Sequence, residues 1–160
     1  MSWELIMMPL GEVAADNDGW QWFTSLPIAG LPAERPASGH RLTVGDAVEA
    51  LRNVGVRGSC WPGVAGVEPF LLEPDPSASG TGWGIGEVTF HADGRGLREL
   101  AAPTDAIKAI GLNKPDPASA LTAACAIAGH GPLVVFDPNM HGVAIAEGAS
   151  PGDVEQDWPW

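Results

Sequence analysis

The stretch of sequence that most constrains the fold is residues 116–146, DPASALTAACAIAGHGPLVVFDPNMHGVAIA. Aspartate followed by proline is typical of a helix N-cap with proline at the first helical position, so we expect a helix from Asp116 to about Ala128. The apolar run PLVVFD (132–137) predicts a buried strand, and GVAIA (142–146) predicts the strand that returns after a tight turn. A helix followed by two turn-linked strands favours an antiparallel sheet that buries the helix on one face.

A second helix is predicted from Val44 to Val54. Thr43 and Asp46 have the spacing of a capping box, and Gly55 is placed to end the helix in a left-handed cap. The apolar residues between them recur at i, i+3, i+4 and i+7, which is the pattern of one buried face.

Shorter elements complete the prediction. A third helix is expected from Asp105 to Ile110, capped by Thr104 and closed by Gly111. Apolar or alternating runs predict further strands at 2–8, 57–61, 67–72 and 86–92. The fold class expected is α+β, a mainly antiparallel sheet with two or three helices packed on one face. We expect one domain over residues 1–149, followed by an acidic, tryptophan-containing tail at 150–160.

The charge of the chain restricts its partners. The 160 residues include 20 acidic and 8 basic side chains, a net charge of −12. Nucleic acids and anionic membranes are therefore unexpected partners, because both are bound mainly through Lys and Arg. No Lys or Arg occurs from Pro115 to Trp160. This acidity either serves solubility or attracts a basic protein partner.

The cysteines and the first residues favour a cytoplasmic protein. Cys60 and Cys125 form no CxxC pattern, so we predict neither a disulfide framework nor a zinc site, and no cofactor. The opening residues lack the basic region of a signal peptide, and no apolar run is long enough to span a membrane.

Four residues could form a catalytic or metal site if the fold brought them together. They are His91, Asp93, Asp137 and His141. Their spacing matches no HExxH motif, and the chain contains neither a GxSxG elbow nor a phosphate-binding loop. We therefore predict no catalytic and no metal-binding residues, and keep a small metal- or His/Asp-dependent hydrolase as the alternative.

The tryptophans suggest a binding surface. The chain has seven tryptophans and no tyrosine, and several lie in polar segments where tryptophan is typical of interface anchors. The partner-binding residues predicted on this basis are Glu73, Asp75, Trp83, Glu87, Asp153, Glu155, Asp157, Trp158 and Trp160. An alternative for the last two tryptophans is that they fold back and cover the sheet.

The opening MSWELIMMPL (residues 1–10), followed by a glycine-rich strand, a helix and a strand pair, is similar to small acidic bacterial proteins that include immunity proteins of interbacterial toxin systems. The resemblance implies a single α+β domain, a monomer or dimer, that binds and blocks a basic toxin enzyme. It assigns no site residue. A phage or secretion accessory subunit is the remaining alternative.

Overall fold

The computed structural model describes residues 3–37, 41–67, 70–72 and 84–160. The strands, in chain order, are β1 (Glu4–Pro9), β2 (Ile28–Ala29), β3 (Gly58–Cys60), β4 (Phe70–Leu72), β5 (Glu87–Ala92), β6 (Ile107–Asn113), β7 (Leu133–Phe136) and β8 (Gly142–Ile145). The helices are α1 (Leu10–Val13), α2 (Asn17–Thr24), α3 (Val44–Asn53), α4 (Pro117–Ala128) and α5 (Pro151–Val154).

These strands form one mixed, mostly antiparallel sheet in the order β2-β8-β7-β1-β6-β5-β3-β4. The pairs β2–β8 and β3–β5 are parallel, and the other pairs are antiparallel. Pro9 pairs with Leu133 at one end of the sheet, whereas Glu4 and Glu87 are both aligned with Asn113 at the other. We call these the Pro9 end and the Asn113 end.

Alternation along the central strands creates two cores. Leu5 and Met7 of β1 are fully buried in the larger core, which also includes the apolar faces of α3 and α4. Ile6 and Met8 lie against a smaller core that includes residues of α1 and α2. Because successive side chains of a strand point to opposite faces, helices cover both faces of the sheet. The predicted α+β class is confirmed. The helices were expected on one face of the sheet; α3, α4 and α5 share one face, whereas α1 and α2 pack on the other.

The helices with strong local signals form as predicted. Thr43 Oγ1 accepts from the amide of Asp46 at 3.1 Å, and a carboxylate oxygen of Asp46 accepts from the amide of Thr43 at 3.0 Å. This capping box satisfies amides at the start of α3 that have no partner within the helix. Asp116 caps α4 in the same way, accepting from the amide of Ser119 at 3.0 Å.

The helix predicted from Asp105 to Ile110 is wrong. Strand β6 begins at Ile107, and it pairs with β1 on one side and β5 on the other. Asp105 lies in the preceding turn, where its carboxylate accepts from the amide of Ala102 at 2.8 Å and from Nε of Arg95 at 2.8 Å. The cap-like residues therefore close a turn, and pairing with two neighbouring strands decides the conformation of the apolar residues that follow.

Helix α2 was not predicted, because residues 16–19 have the composition of a turn. Asp16 instead acts as an N-cap, with its carboxylate accepting from the amide of Gly19 at 2.6 Å. Trp20 and Phe23 are buried in the smaller core. Phe23 meets Phe136 of β7 edge to face, with ring centroids 5.7 Å apart. Burial of these rings against the sheet stabilises a helix of low intrinsic propensity.

The larger core can be tested on α3. Leu51 is 1% exposed, whereas Val54 at the end of the same helix is 43% exposed. We expect Leu51→Ala to lower the free energy of unfolding by about 2–5 kcal/mol, because it leaves a cavity in a packed core. The control Val54→Ala should change it by no more than about 0.5 kcal/mol. Urea denaturation followed by tryptophan fluorescence measures both, and equal losses would contradict the packing described for α3.

Candidate functional site

The predicted partner-binding residues are not all within the described part of the chain. Glu73, Asp75 and Trp83 lie outside the described residues. Glu87 is exposed on β5 at the Asn113 end, and Gly86 directly before it adopts a left-handed φ of 70°. A β-carbon at Gly86 would lie 2.0 Å from the carbonyl oxygen of Asn113, so only glycine allows the chain to enter β5 here.

The C-terminal residues fold against the domain. Helix α5 begins at Pro151, and Val154 is buried in the larger core. The carboxylate of Asp153 accepts hydrogen bonds from the amide and the hydroxyl of Ser150 at 2.8 and 2.9 Å. The hydrogen bond from the amide makes the largest contribution to lowering the pKa of Asp153. This carboxylate therefore closes the first turn of α5. Glu155 and Asp157 are exposed.

Trp158 and Trp160 pack together at the end of this segment. Their rings meet edge to face with centroids 4.9 Å apart, and both lie partly buried against the larger core. Nε1 of Trp160 donates to Oδ2 of Asp137 at 3.4 Å, while Nε1 of Trp158 is buried without a partner among the described residues. This is the arrangement expected if the two tryptophans fold back against the domain.

Asp137 organises the turn between β7 and β8. Its Oδ1 accepts from the amides of Asn139 and His141 at 2.9 and 3.1 Å, and its Oδ2 lies 3.7 Å from Nδ1 of His141. Met140 within this turn has a left-handed φ of 63°. The aspartate thus stabilises a turn and links it to Trp160.

The four residues of the alternative hydrolase site do not come together. His91 lies in the last part of β5 and Asp93 directly follows the strand, whose last residue pairs with Ile107 at the Pro9 end. Asp137 and His141 follow β7, which runs from the Pro9 end towards the Asn113 end. In the described ranges, no group of three or more His, Cys, Asp or Glu side chains is arranged to hold a metal ion.

The thiols are also unsuited to nucleophilic chemistry. Burial raises the pKa of both Cys60 and Cys125 to about 11, so both stay protonated at neutral pH.

Two exposed apolar side chains are not among the predicted partner-binding residues. Trp61 is 62% exposed and Leu100 is 54% exposed. Their segments are neighbours, because the amide of Ala101 donates to the carbonyl of Gly63 at 3.3 Å. Arg98 and Glu99 are both exposed in the same connection, so this surface carries charges of both signs. The leucines at 97 and 100, within an otherwise polar connection between two strands, are the sequence signal that could have revealed it.

The acidic residues divide into those with structural contacts and those without. Asp116, Asp137 and Asp153 accept hydrogen bonds that close a helix or a turn. Glu147, Glu155 and Asp157 are exposed. Across the described residues, no Lys or Arg lies within salt-bridge distance of any carboxylate between 116 and 157. We refer to these three exposed carboxylates, grouped by their position in the chain after residue 146, as the acidic surface.

By contrast, Arg41, Arg95 and Lys108 form ion pairs with carboxylates. Arg41 contacts Glu12 at 2.9 Å and Asp93 at 3.4 Å, and Lys108 contacts the other oxygen of Asp93 at 3.2 Å. These ion pairs cluster at the Pro9 end. Residues 116–160, by comparison, contain six acidic side chains and no Lys or Arg.

Comparison of the chain with protein-family models, with curated proteins and with solved structures gives no match. Within the described part of the chain, no helix has both the length and the apolar character needed to cross a membrane.

The contribution of the C-terminal segment to stability can be measured. We expect Trp158→Ala to lower the free energy of unfolding by about 2 kcal/mol, because the ring packs against Trp160 and the larger core. The control Trp22→Ala removes a ring that is 55% exposed on α2 and should cost clearly less. Urea denaturation measures both. If Trp158→Ala has no effect, residues 155–160 do not belong to the folded domain.

The ion pairs at the Pro9 end predict a pH dependence. The hydrogen bond and charge of Lys108, followed by those of Arg41, lower the pKa of Asp93 below its usual value of 3.8. The carboxylate therefore stabilises the native state above the unfolded pKa, and this contribution is lost as the pH falls through the lowered native pKa. The stability difference between the wild type and Asp93→Asn should shrink below about pH 4.

Urea denaturation of the two proteins across this range provides the measurement. Lys108→Met should reproduce part of the effect, because Lys108 makes the larger contribution to the shift. Stability curves of wild type and Asp93→Asn that stay parallel down to low pH would contradict the proposed ion pairs.

Proposed function

We propose that this chain is an immunity-type binding protein that acts in the cytoplasm and neutralises a basic enzyme, such as a toxin domain, by covering its basic surface or active site. The observation that supports this most directly is the acidic surface of Glu147, Glu155 and Asp157, which has no cationic neighbour within salt-bridge distance among the described residues. Lys and Arg side chains of a partner would supply the opposite charges for these carboxylates.

The elements that present this charge are held together. Helix α4 contacts α5, β7 and β8, and β7 pairs with β8 along its length. Val154, the last residue of α5, is buried in the larger core. Glu155 directly follows it, so the backbone of Glu155 has a defined position on the domain. A preorganised charged surface costs less conformational entropy on binding than a flexible tail does.

The chemistry of the surface specifies the chemistry of the partner. Carboxylates without counter-ions repel phosphate groups and attract Lys and Arg, so a basic protein fits and a nucleic acid does not. Electrostatic attraction of this kind can raise an association rate constant by about 10- to 1,000-fold and is screened by salt. An inhibitor that must capture an enzyme before it acts benefits from a fast association.

Solubility is the simplest alternative for the negative charge. It predicts that the position of the acidic residues has no effect on binding, since only the net charge matters for solubility. The two explanations can therefore be separated by comparing variants that remove the same number of negative charges from different parts of the surface.

The test uses the product of the reading frame that adjoins the gene as the binding partner. We expect Glu155→Gln/Asp157→Asn to lower the association rate constant at least about threefold at low salt, and to weaken its salt dependence, because two attracting charges are lost. The control Glu34→Gln/Glu49→Gln removes the same charge from exposed positions elsewhere and should have a smaller effect. Surface plasmon resonance at several salt concentrations provides the rates.

Two results would contradict the proposal. Equal slowing by both double variants would show that net charge, and not the acidic surface, governs association. Absence of a complex, together with no protection of cells that express the neighbouring product, would contradict the immunity function itself.

A further inference from the structure

A cavity of about 480 Å³ lies at the Pro9 end of the sheet. It is formed where β1 passes into α1, where α4 ends and where β7 begins. Its apolar wall includes Pro9, Leu42, Ile127 and Leu133. The volume falls within the range of about 300–1,000 Å³ that is typical of small-ligand sites.

Four ionisable side chains also line the cavity, namely Glu12, Arg41, His130 and Glu147. Nε and Nη2 of Arg41 donate to the same oxygen of Glu12 at 3.1 and 2.9 Å, and its guanidinium also faces Asp93. The positive charge of Arg41 is thus compensated within the protein. Glu147 is exposed, and no described Lys or Arg forms an ion pair with it.

The end of α4 adds to the negative potential. Ile127 is in the last turn of this 12-residue helix, and His130 and Gly131 follow it along the wall of the cavity. The carbonyl end of a helix carries a partial negative charge that favours a nearby cation. The last three carbonyls of the helix already accept hydrogen bonds from the amides of residues 129–131, so a cation at this position would be attracted mainly by Glu147.

From this arrangement we infer that the cavity binds a guanidinium or ammonium group at the end of a short apolar stem. The stem would contact the apolar wall, and the cationic group would lie near Glu147, with the free oxygen of Glu12 as a second acceptor. An anion is disfavoured, because the only guanidinium in the described wall is already paired with carboxylates.

Two sources can supply this chemistry, a basic side chain of a protein and a free organic cation. The protein source depends on the proposed function, because Glu147 belongs to the acidic surface that would face a basic partner. In that case an Arg or Lys side chain of the partner enters the cavity and anchors the complex, as buried Arg side chains often do.

The experiment uses the isolated chain and three probes. N-acetylarginine methylamide represents a protein side chain, butylguanidinium represents a free organic cation, and N-acetylcitrulline methylamide is the neutral analogue of the first. Backbone amide shifts of Gly11 and Gly131, which line the cavity, report binding in NMR titrations. We expect saturable shifts with both cations and at least about tenfold weaker binding of the citrulline compound, which lacks the charge.

Two variants and one control locate the site. Glu147→Gln should weaken binding of the capped arginine several-fold, whereas Glu155→Gln should leave it unchanged, because Glu155 does not line the cavity. Gly11→Leu should block the cavity without disturbing the fold, since a β-carbon at Gly11 meets no atom within 4 Å and its backbone is not left-handed. Unchanged amide shifts far from the cavity confirm that each variant is folded.

Each outcome decides the inference. Absence of shifts at Gly11 and Gly131 with either cation, equal binding of the citrulline compound, or equal effects of Glu147→Gln and Glu155→Gln would overturn it. If butylguanidinium binds and the capped arginine does not, the cavity is a cation site, but a protein side chain is not its ligand.

Partner association separates this inference from the proposed function. Suppose that Glu155→Gln/Asp157→Asn slows association but the isolated chain binds no cation. The proposed role of the acidic surface in partner binding is then supported, and the proposed cation site in the cavity is wrong. If the cavity binds the capped arginine but Gly11→Leu and Glu147→Gln leave the stability of the complex unchanged, the partner's side chain does not use it.

Discussion

Strand β1 lies at the centre of the sheet, where it pairs with β6 on one side and β7 on the other. This pairing fixes which side chains of β1 face each core, so Leu5 and Met7 meet α3 and α4 while Ile6 and Met8 meet the opposite face. A shift of one residue would exchange the two sets. Both ends of the sheet, and the cavity at one of them, are positioned by this register.

Charge is distributed unequally over this framework. The cations near the Pro9 end are paired with Glu12, Asp93 and Asp105, so their charge is compensated locally. The C-terminal third has carboxylates that either close turns or remain exposed. Glu147 belongs to the exposed group and also lines the cavity, which makes it the residue that connects the acidic surface with the cation site.

Predictions from the sequence succeeded where the signal was local. Helices α3 and α4 have caps within their own residues, and β7 and β8 are joined by a short turn, so a few neighbouring positions determine each of them. The prediction failed at β6, where a capping pattern was outweighed by pairing with two distant strands. It also missed α2, whose buried rings find their partner in Phe136, more than 100 positions away.

The candidate site shows the same division. Composition and local pattern were enough to predict the α+β class, the excess of acidic residues and the absence of Lys and Arg after residue 115. Three features follow from tertiary contacts: Trp158 and Trp160 pack against the core, His91 and His141 lie towards opposite ends of the sheet, and Arg41 meets Glu12 beside a cavity. Such contacts join segments far apart in the chain, and their formation depends on strand register and helix packing that no local pattern encodes.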